Sequence, residues 1–180
     1  QQENQERMLR QRLFSGQALV DCIRRLMRAD SLEQAIQSVL SEVGAYYGAD
    51  RVSLVELEEG GACAVWPPCD TAARRKLPWE DGGYWSSSVE RCTYIDSEQL
   101  LREYPDQIEA LRASGIHSLL TAPLLLEGRP TGGIAVENPK ETDGEFLHAL
   151  SCFAAIEFQR RRLLIELEYQ NGHDALTGLF

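Results

Sequence analysis

The stretch Gly115–Glu137, GIHSLLTAPLLLEGRPTGGIAVE, is the most informative part of the chain. His117 to Leu126 is almost unbroken apolar sequence, the pattern of a strand covered on both faces. Pro123 cannot donate to a ladder, so its position predicts a bulge or bend there. Glu127 and Gly128 turn the chain into a second strand, Thr131 to Glu137. A turn that short cannot hold a crossover, so the two strands pair antiparallel.

Upstream, Arg51 to Glu58 alternates as a strand, with Val52, Leu54 and Glu56 on one face and Ser53, Val55 and Leu57 on the other. Glu59 to Gly61 form a turn into a partner strand, Ala62 to Trp66. Residues 1–29 read as one helix on the spacing of Leu9, Leu13, Leu19, Ile23 and Leu26. Ser31 caps a second helix, with Gln34 placed for a capping box, and Gly48 ends it. Residues 69–90 mix prolines, glycines and aromatics and read as a long, partly ordered loop with a short helix over Asp70 to Leu77. A short strand over Arg91 to Ile95 follows. Helices over Glu98 to Tyr104 and from Pro105 to Gly115 come next. A final helix starts near Thr142 and runs past Tyr169, with Phe146, Ala149, Leu150, Phe153, Ile156, Leu163 and Leu167 at three-and-four spacing. Its second half is dense in charge, as a helix is when it leaves a core and pairs in a coiled coil. Strands on short turns, with helices before and after, give an α+β fold: a central antiparallel sheet with helices packed on it, plus long terminal helices.

The chain has 180 residues and a formal charge of −10. So acidic a surface disfavours nucleic acid and anionic membranes as partners. No apolar run approaches the ~18 residues of a spanning helix. The polar start, Gln1 to Gln5, has no signal-peptide pattern and no initiator Met, so the chain reads as a piece of a longer cytoplasmic protein. Five cysteines without a CxxC pair argue against a disulfide scaffold or a zinc site. No Ser-His-Asp array or phosphate-binding loop occurs, and the fragment is expected to be non-catalytic.

Residues 30–158 resemble GAF domains. The matching features are the helix Ser31 to Asp50 with the strand Arg51 to Leu57, and above all Gly115 to Leu124 followed by Glu127 to Val136. At the C-terminus, Asp174, Leu176, Thr177, Gly178 and Leu179 look like the opening of a GGDEF domain, whose signature loop is not in the sequence. The resemblance implies four segments. Residues 1–29 are a dimerisation and signalling helix, 30–158 a sensor domain, 159–173 a linker helix, and 174–180 the truncated start of a diguanylate cyclase domain. It also implies a bacterial signalling protein that controls cyclic di-GMP synthesis as a homodimer paired through its flanking helices.

GAF domains commonly bind small molecules between the sheet and the elements on one face. Trp66, Trp79, Tyr84, Trp85 and Tyr94, with His117, Leu119 and Thr121, are the candidates to line such a pocket. The ligand is unidentified and the sequence names no cofactor. Asn138, Lys140 and Phe146 partly echo the cyclic-nucleotide pattern of related domains, but no Asp-Glu pair follows. The helix before the Pro-containing strand has no cysteine for a bilin, and His117 is a poor haem ligand at a strand start. A redox role, or a free methionine sulfoxide reductase-like activity, would use Cys63, Cys69 and Cys92. The remaining alternative is a ligand-free dimerisation and spacer module.

Overall fold

The computed structural model describes residues 1–57, 62–70, 76–86 and 92–177; of 62, 63 and 174–177 it describes the backbone alone. The predicted turn Glu59–Gly61, the strand start at Arg91, most of the predicted helix Asp70–Leu77, and Gly178 and Leu179 lie outside the described residues.

Helices α1 (Gln2–Arg28) and α2 (Leu32–Tyr47) lead into strands β1 (Arg51–Glu56) and β2 (Ala62–Trp66). A 3-10 turn (Pro78–Glu80) and a short helix α3 (Gly82–Ser86) follow. Then come β3 (Thr93–Ile95), α4 (Ser97–Glu103), α5 (Ile108–Ala113), β4 (Leu119–Leu126), β5 (Arg129–Glu137) and α6 (Glu145–Thr177). The strands form one antiparallel sheet in the order β2-β1-β5-β4-β3. The predicted α+β architecture is therefore present.

Alternation along the central strands sends apolar side chains to both faces. Val52, Leu54, Leu120, Ala122, Ile134 and Val136 join α1, α2 and the first half of α6 in one core. Val55, Leu119 and Ala135 face the other way, into a smaller core with Trp79, Trp85, Leu100 and Leu111. We call these the proximal and distal faces.

Local chemistry explains several boundaries. Ser31 Oγ accepts from Gln34 N, while Gln34 Oε1 accepts from Asp30 N. Gly48, at φ +57°, closes α2 in the left-handed conformation. The β4–β5 turn places Glu127 and Gly128 at φ 51° and 75°, the two positive values of a type I′ hairpin. The sheet differs from expectation at Pro123, which pairs in register with Gly133. The irregularity falls one residue later, between Leu124 and Leu125, where Thr131 is the extra residue on β5 and its hydroxyl donates to Leu124 O at 3.1 Å. Pro123 is tolerated because β3 pairs with β4 only over Leu119–Thr121, leaving that stretch of β4 one strand neighbour among the described residues.

The start of β4 also differs from expectation, at Leu119 rather than His117. His117 N and Ser118 N both donate to Asn138 Oδ1, at 2.8 and 3.2 Å, and so leave the ladder. Asn138 Nδ2 donates to Asp50 Oδ2 and to Gly115 O, each at 2.7 Å. One amide at φ +53° thus joins the end of β5, the entry to β1 and the approach to β4. Beside it, Arg51 makes a two-pronged ion pair with buried Glu137, at 2.5 and 2.7 Å. Tyr47 secures the start of α6, its hydroxyl donating to Asp143 O at 2.9 Å and accepting from Leu147 N at 3.0 Å.

Asn138→Ala removes four hydrogen bonds and orphans buried groups. It should lower unfolding free energy by about 3 kcal/mol in urea titration, with an unchanged m-value. A loss under 0.5 kcal/mol would show that this junction is held elsewhere.

Candidate functional site

The distal face is the candidate site, because it is where the irregular segment 76–86 folds against the sheet. Pro78 starts the 3-10 turn, and Glu80 Oε2 accepts from Leu77 N at 3.0 Å. Trp79 and Trp85 are both fully buried. Trp85 Nε1 donates to Trp79 O at 2.8 Å, which locks α3 to the turn. The Trp85 ring lies against Gly133 of β5, where a Cβ would overlap it. That close approach is one reason the strand carries glycine there.

Tyr84 packs edge-on against Trp85, with ring centroids 4.9 Å apart, and its hydroxyl shares hydrogen bonds with the Thr121 and Tyr104 side chains. Burial pushes both tyrosine hydroxyls above their ordinary range, so both stay neutral donors. Trp79 meets Tyr104 edge-on at 6.3 Å. Among the described residues, Trp79 Nε1 and Ser53 Oγ are buried on this face without a hydrogen-bond partner. Ser53 shares its face with Val55 by strand alternation.

Of the eight pocket residues anticipated, five converge here: Trp79, Tyr84, Trp85, Leu119 and Thr121. Trp66 and Tyr94 do not. Trp66 covers Gly44 of α2 on the proximal face, and Tyr94 packs against the proximal core. The period of two accounts for both, since Trp66 pairs with Val52 and Tyr94 with Leu120, which point proximally. His117 is exposed and is held by its backbone, its carbonyl accepting from Ser97 Oγ at 2.7 Å. Glu80 and Tyr104 were not anticipated. Sequence gave no signal for Glu80 beyond the preceding proline, and Tyr104 read as a helix end.

The partial nucleotide-like echo resolves into structural roles. Asn138 ties the junction described above, Lys140 N donates to Tyr47 O at 2.8 Å, and Phe146 stacks on Tyr46 with centroids 4.0 Å apart. Among the cysteines, Cys22, Cys69, Cys92 and Cys152 carry free thiols. Burial, then the charge of Asp143, pushes the Cys92 thiol up to about 11. Burial, then Glu42, pushes Cys22 up to about 12. Neither is a poised thiolate. Cys69 is exposed, and the Cys63 side chain lies outside the described residues. Among the described residues no cluster of His, Cys, Asp and Glu is suited to a metal ion, and no helix is long and apolar enough to cross a membrane.

The GAF domain family matches residues 31–158. Solved structures share the fold. One is a GAF domain from a phosphoenolpyruvate-protein phosphotransferase of Coxiella burnetii, 19% identical, covering 83% of this chain and 95% of that one at TM-score 0.63. Another is the GAF domain of a putative sensor histidine kinase from Pseudomonas syringae pv. tomato, 17% identical, covering 92% and 98% at TM-score 0.63. A third is a bacteriophytochrome of R. palustris, 18% identical, covering 89% of this chain and 40% of that one at TM-score 0.59. No curated protein matches the sequence. With its central antiparallel sheet, its helical proximal layer and its irregular distal segment, this chain belongs to the GAF domain family of sensor and regulatory modules.

Proposed function

We propose that this chain is the regulatory module of a bacterial diguanylate cyclase. It reads a small molecule on the distal face and passes the result through α6, as a homodimer paired along α1 and α6. The observation that carries this reading is the division of α6. Its first half is core, through Phe146, Leu147, Leu150, Ala154 and Phe158. Its second half leaves the domain with Leu163, Leu164, Ile165, Leu167 and Tyr169 exposed. The helix continues into the Asp174–Thr177 part of the GGDEF-like motif.

Large apolar side chains are exposed almost solely on the two end helices. Six lie on α1 and six on α6, against Leu101 alone elsewhere among the described residues. The apolar residues of α1 divide between two faces. Leu19, Cys22 and Leu26 pack on the protein's own core. Leu9, Leu13, Gly16, Val20, Ile23 and Met27 form a second line at alternating spacings of four and three, exposed except for half-buried Ile23. That is a seven-residue repeat, the spacing one helix presents to another. On α6, Ile156 is likewise exposed rather than core. At ~40 Å by ~10 Å, α1 offers roughly 400 Å² of footprint. The exposed half of α6 brings this towards the ~800 Å² per partner of a stable interface.

On the distal face, a ligand bearing an acceptor for Trp79 Nε1 and a polar group for Ser53 Oγ would satisfy two buried groups that are otherwise costly. A second reading, a ligand-free spacer, is favoured by the full burial of Trp79 and Trp85, which fill this layer.

In analytical ultracentrifugation at micromolar concentration the chain should sediment as a dimer, and Leu13→Glu should weaken association by roughly 100-fold, because a carboxylate in an apolar seam costs several kcal/mol. A monomeric wild type, or a variant as dimeric as wild type, would remove the helix-paired dimer. Native alkylation with iodoacetamide at pH 7.5 tests the redox alternative. Cys69 should react, while Cys22 and Cys92 stay unmodified until pH approaches 11 or the chain is unfolded. Rapid modification of Cys92 at neutral pH would revive a redox role.

A further inference from the structure

We propose that Arg161 is a latch by which the domain grips its exit helix, fixing α6 to the corner where α1 meets α2. Arg161 lies three residues past Phe158, the last buried apolar residue of α6, and its side chain is only 11% exposed. Its Nη1 donates to Ala29 O at 2.7 Å and to Ser31 O at 3.4 Å. Its Nη2 donates to Leu26 O at 2.9 Å and to Met27 O at 3.4 Å. Its Nε donates to Glu157 Oε1 at 3.0 Å. All five guanidinium N–H groups are thereby used, four of them on backbone carbonyls of another part of the chain.

The corner needs such a donor. Helix α1 ends at Ala29 in an extended conformation, φ −62° and ψ 134°, without a left-handed glycine. Ala29 N reaches back to Leu26 O at 3.3 Å, in place of a left-handed cap. Arg161 adds side-chain donors from α6 to this last turn, at the negative end of the α1 dipole. Glu157 orients the fork and is shared with Arg160, whose Nη2 donates to Glu157 Oε1 at 2.6 Å. These contacts hold Glu157 ionised, with its carboxyl below the ordinary carboxylate range.

A groove of about 190 Å³ opens beside the latch, lined by Asp30, Ser31, Leu32, Leu164, Ile165 and Glu168. Closed, the latch makes α1 and α6 turn and slide together. Open, it releases α6 from the α1–α2 corner, while the ion pair of Arg162 with Glu56 still ties the helix to β1. This coupling requires neither a ligand nor a second copy, so it stands apart from the function proposed above.

Hydrogen exchange read by mass spectrometry on the whole chain tests it. Arg161→Ala should raise exchange about tenfold or more in residues 24–30 and 160–169, with β1, β4 and β5 within about twofold of wild type. Arg161→Lys should fall between, since an ammonium reaches one carbonyl but cannot span the corner and Glu157. If Arg161→Ala does not fold, Glu157→Gln should still give a local rise of about threefold in the same two segments. Wild-type protection of residues 24–30 in Arg161→Ala would overturn the latch. So would a rise shared equally by the sheet, which would make Arg161 a general stabiliser, or a lysine variant indistinguishable from wild type.

Discussion

The structure depends on a sheet whose central strands are apolar on both faces. Such a sheet must be covered twice, and the two coverings here are made differently. The proximal layer is built from long helices, whose regular stripes bury Val39, Leu40, Val43, Leu150 and Phe158 against the strands. The distal layer is assembled from short pieces, a 3-10 turn and the helices α3, α4 and α5, held by tryptophans and a tyrosine–threonine network. Short pieces joined by irregular backbone rearrange at lower cost than packed helices, which is why the proposed input is placed on the distal layer. The proximal layer contains α6, whose first half belongs to the core and whose second half leaves it, and the proposed output is assigned to it for that reason.

Polar side chains at the junctions make the two layers act on one sheet. Asn138 gathers the ends of β5, β1 and β4 through four hydrogen bonds. Tyr47 ties the end of α2 to the start of α6. An ion pair between Glu56 of β1 and Arg162 of α6 joins the sheet to the helix one residue beyond Arg161. A strand displaced by events on the distal face therefore has direct mechanical contact with the point where α6 exits.

Much of this was legible in the sequence. The strand pair in Gly115–Glu137, the helix capped by Ser31 and the antiparallel sheet follow from periodicity and turn chemistry, which are local. The distal aromatic cluster was only half legible. Trp79, Tyr84 and Trp85 do meet, but Trp66 and Tyr94 read as companions because composition does not say which face a strand residue takes; register does, and register is a tertiary property. The same limit applies to α1, where one continuous apolar stripe proved to be two lines with different partners. Arg161 was invisible as anything but part of a charge run, because its partners are carbonyls some 130 residues away. Asn138 was visible only as a fragment of a ligand-binding pattern, and its role is structural.

The proposed sensor role requires the distal face to receive a ligand. A thermal melt of the chain against cyclic nucleotides, purines, amino acids and haem addresses it most directly. One chemical class should raise stability, by about 2.7 kcal/mol at a hundred times its dissociation constant. Trp79→Phe, which removes the unpartnered indole N–H, should weaken that shift while the fold persists. A flat response across the panel, together with a Trp79→Phe variant that only loses stability, would contradict the sensor role and leave a filled spacer domain.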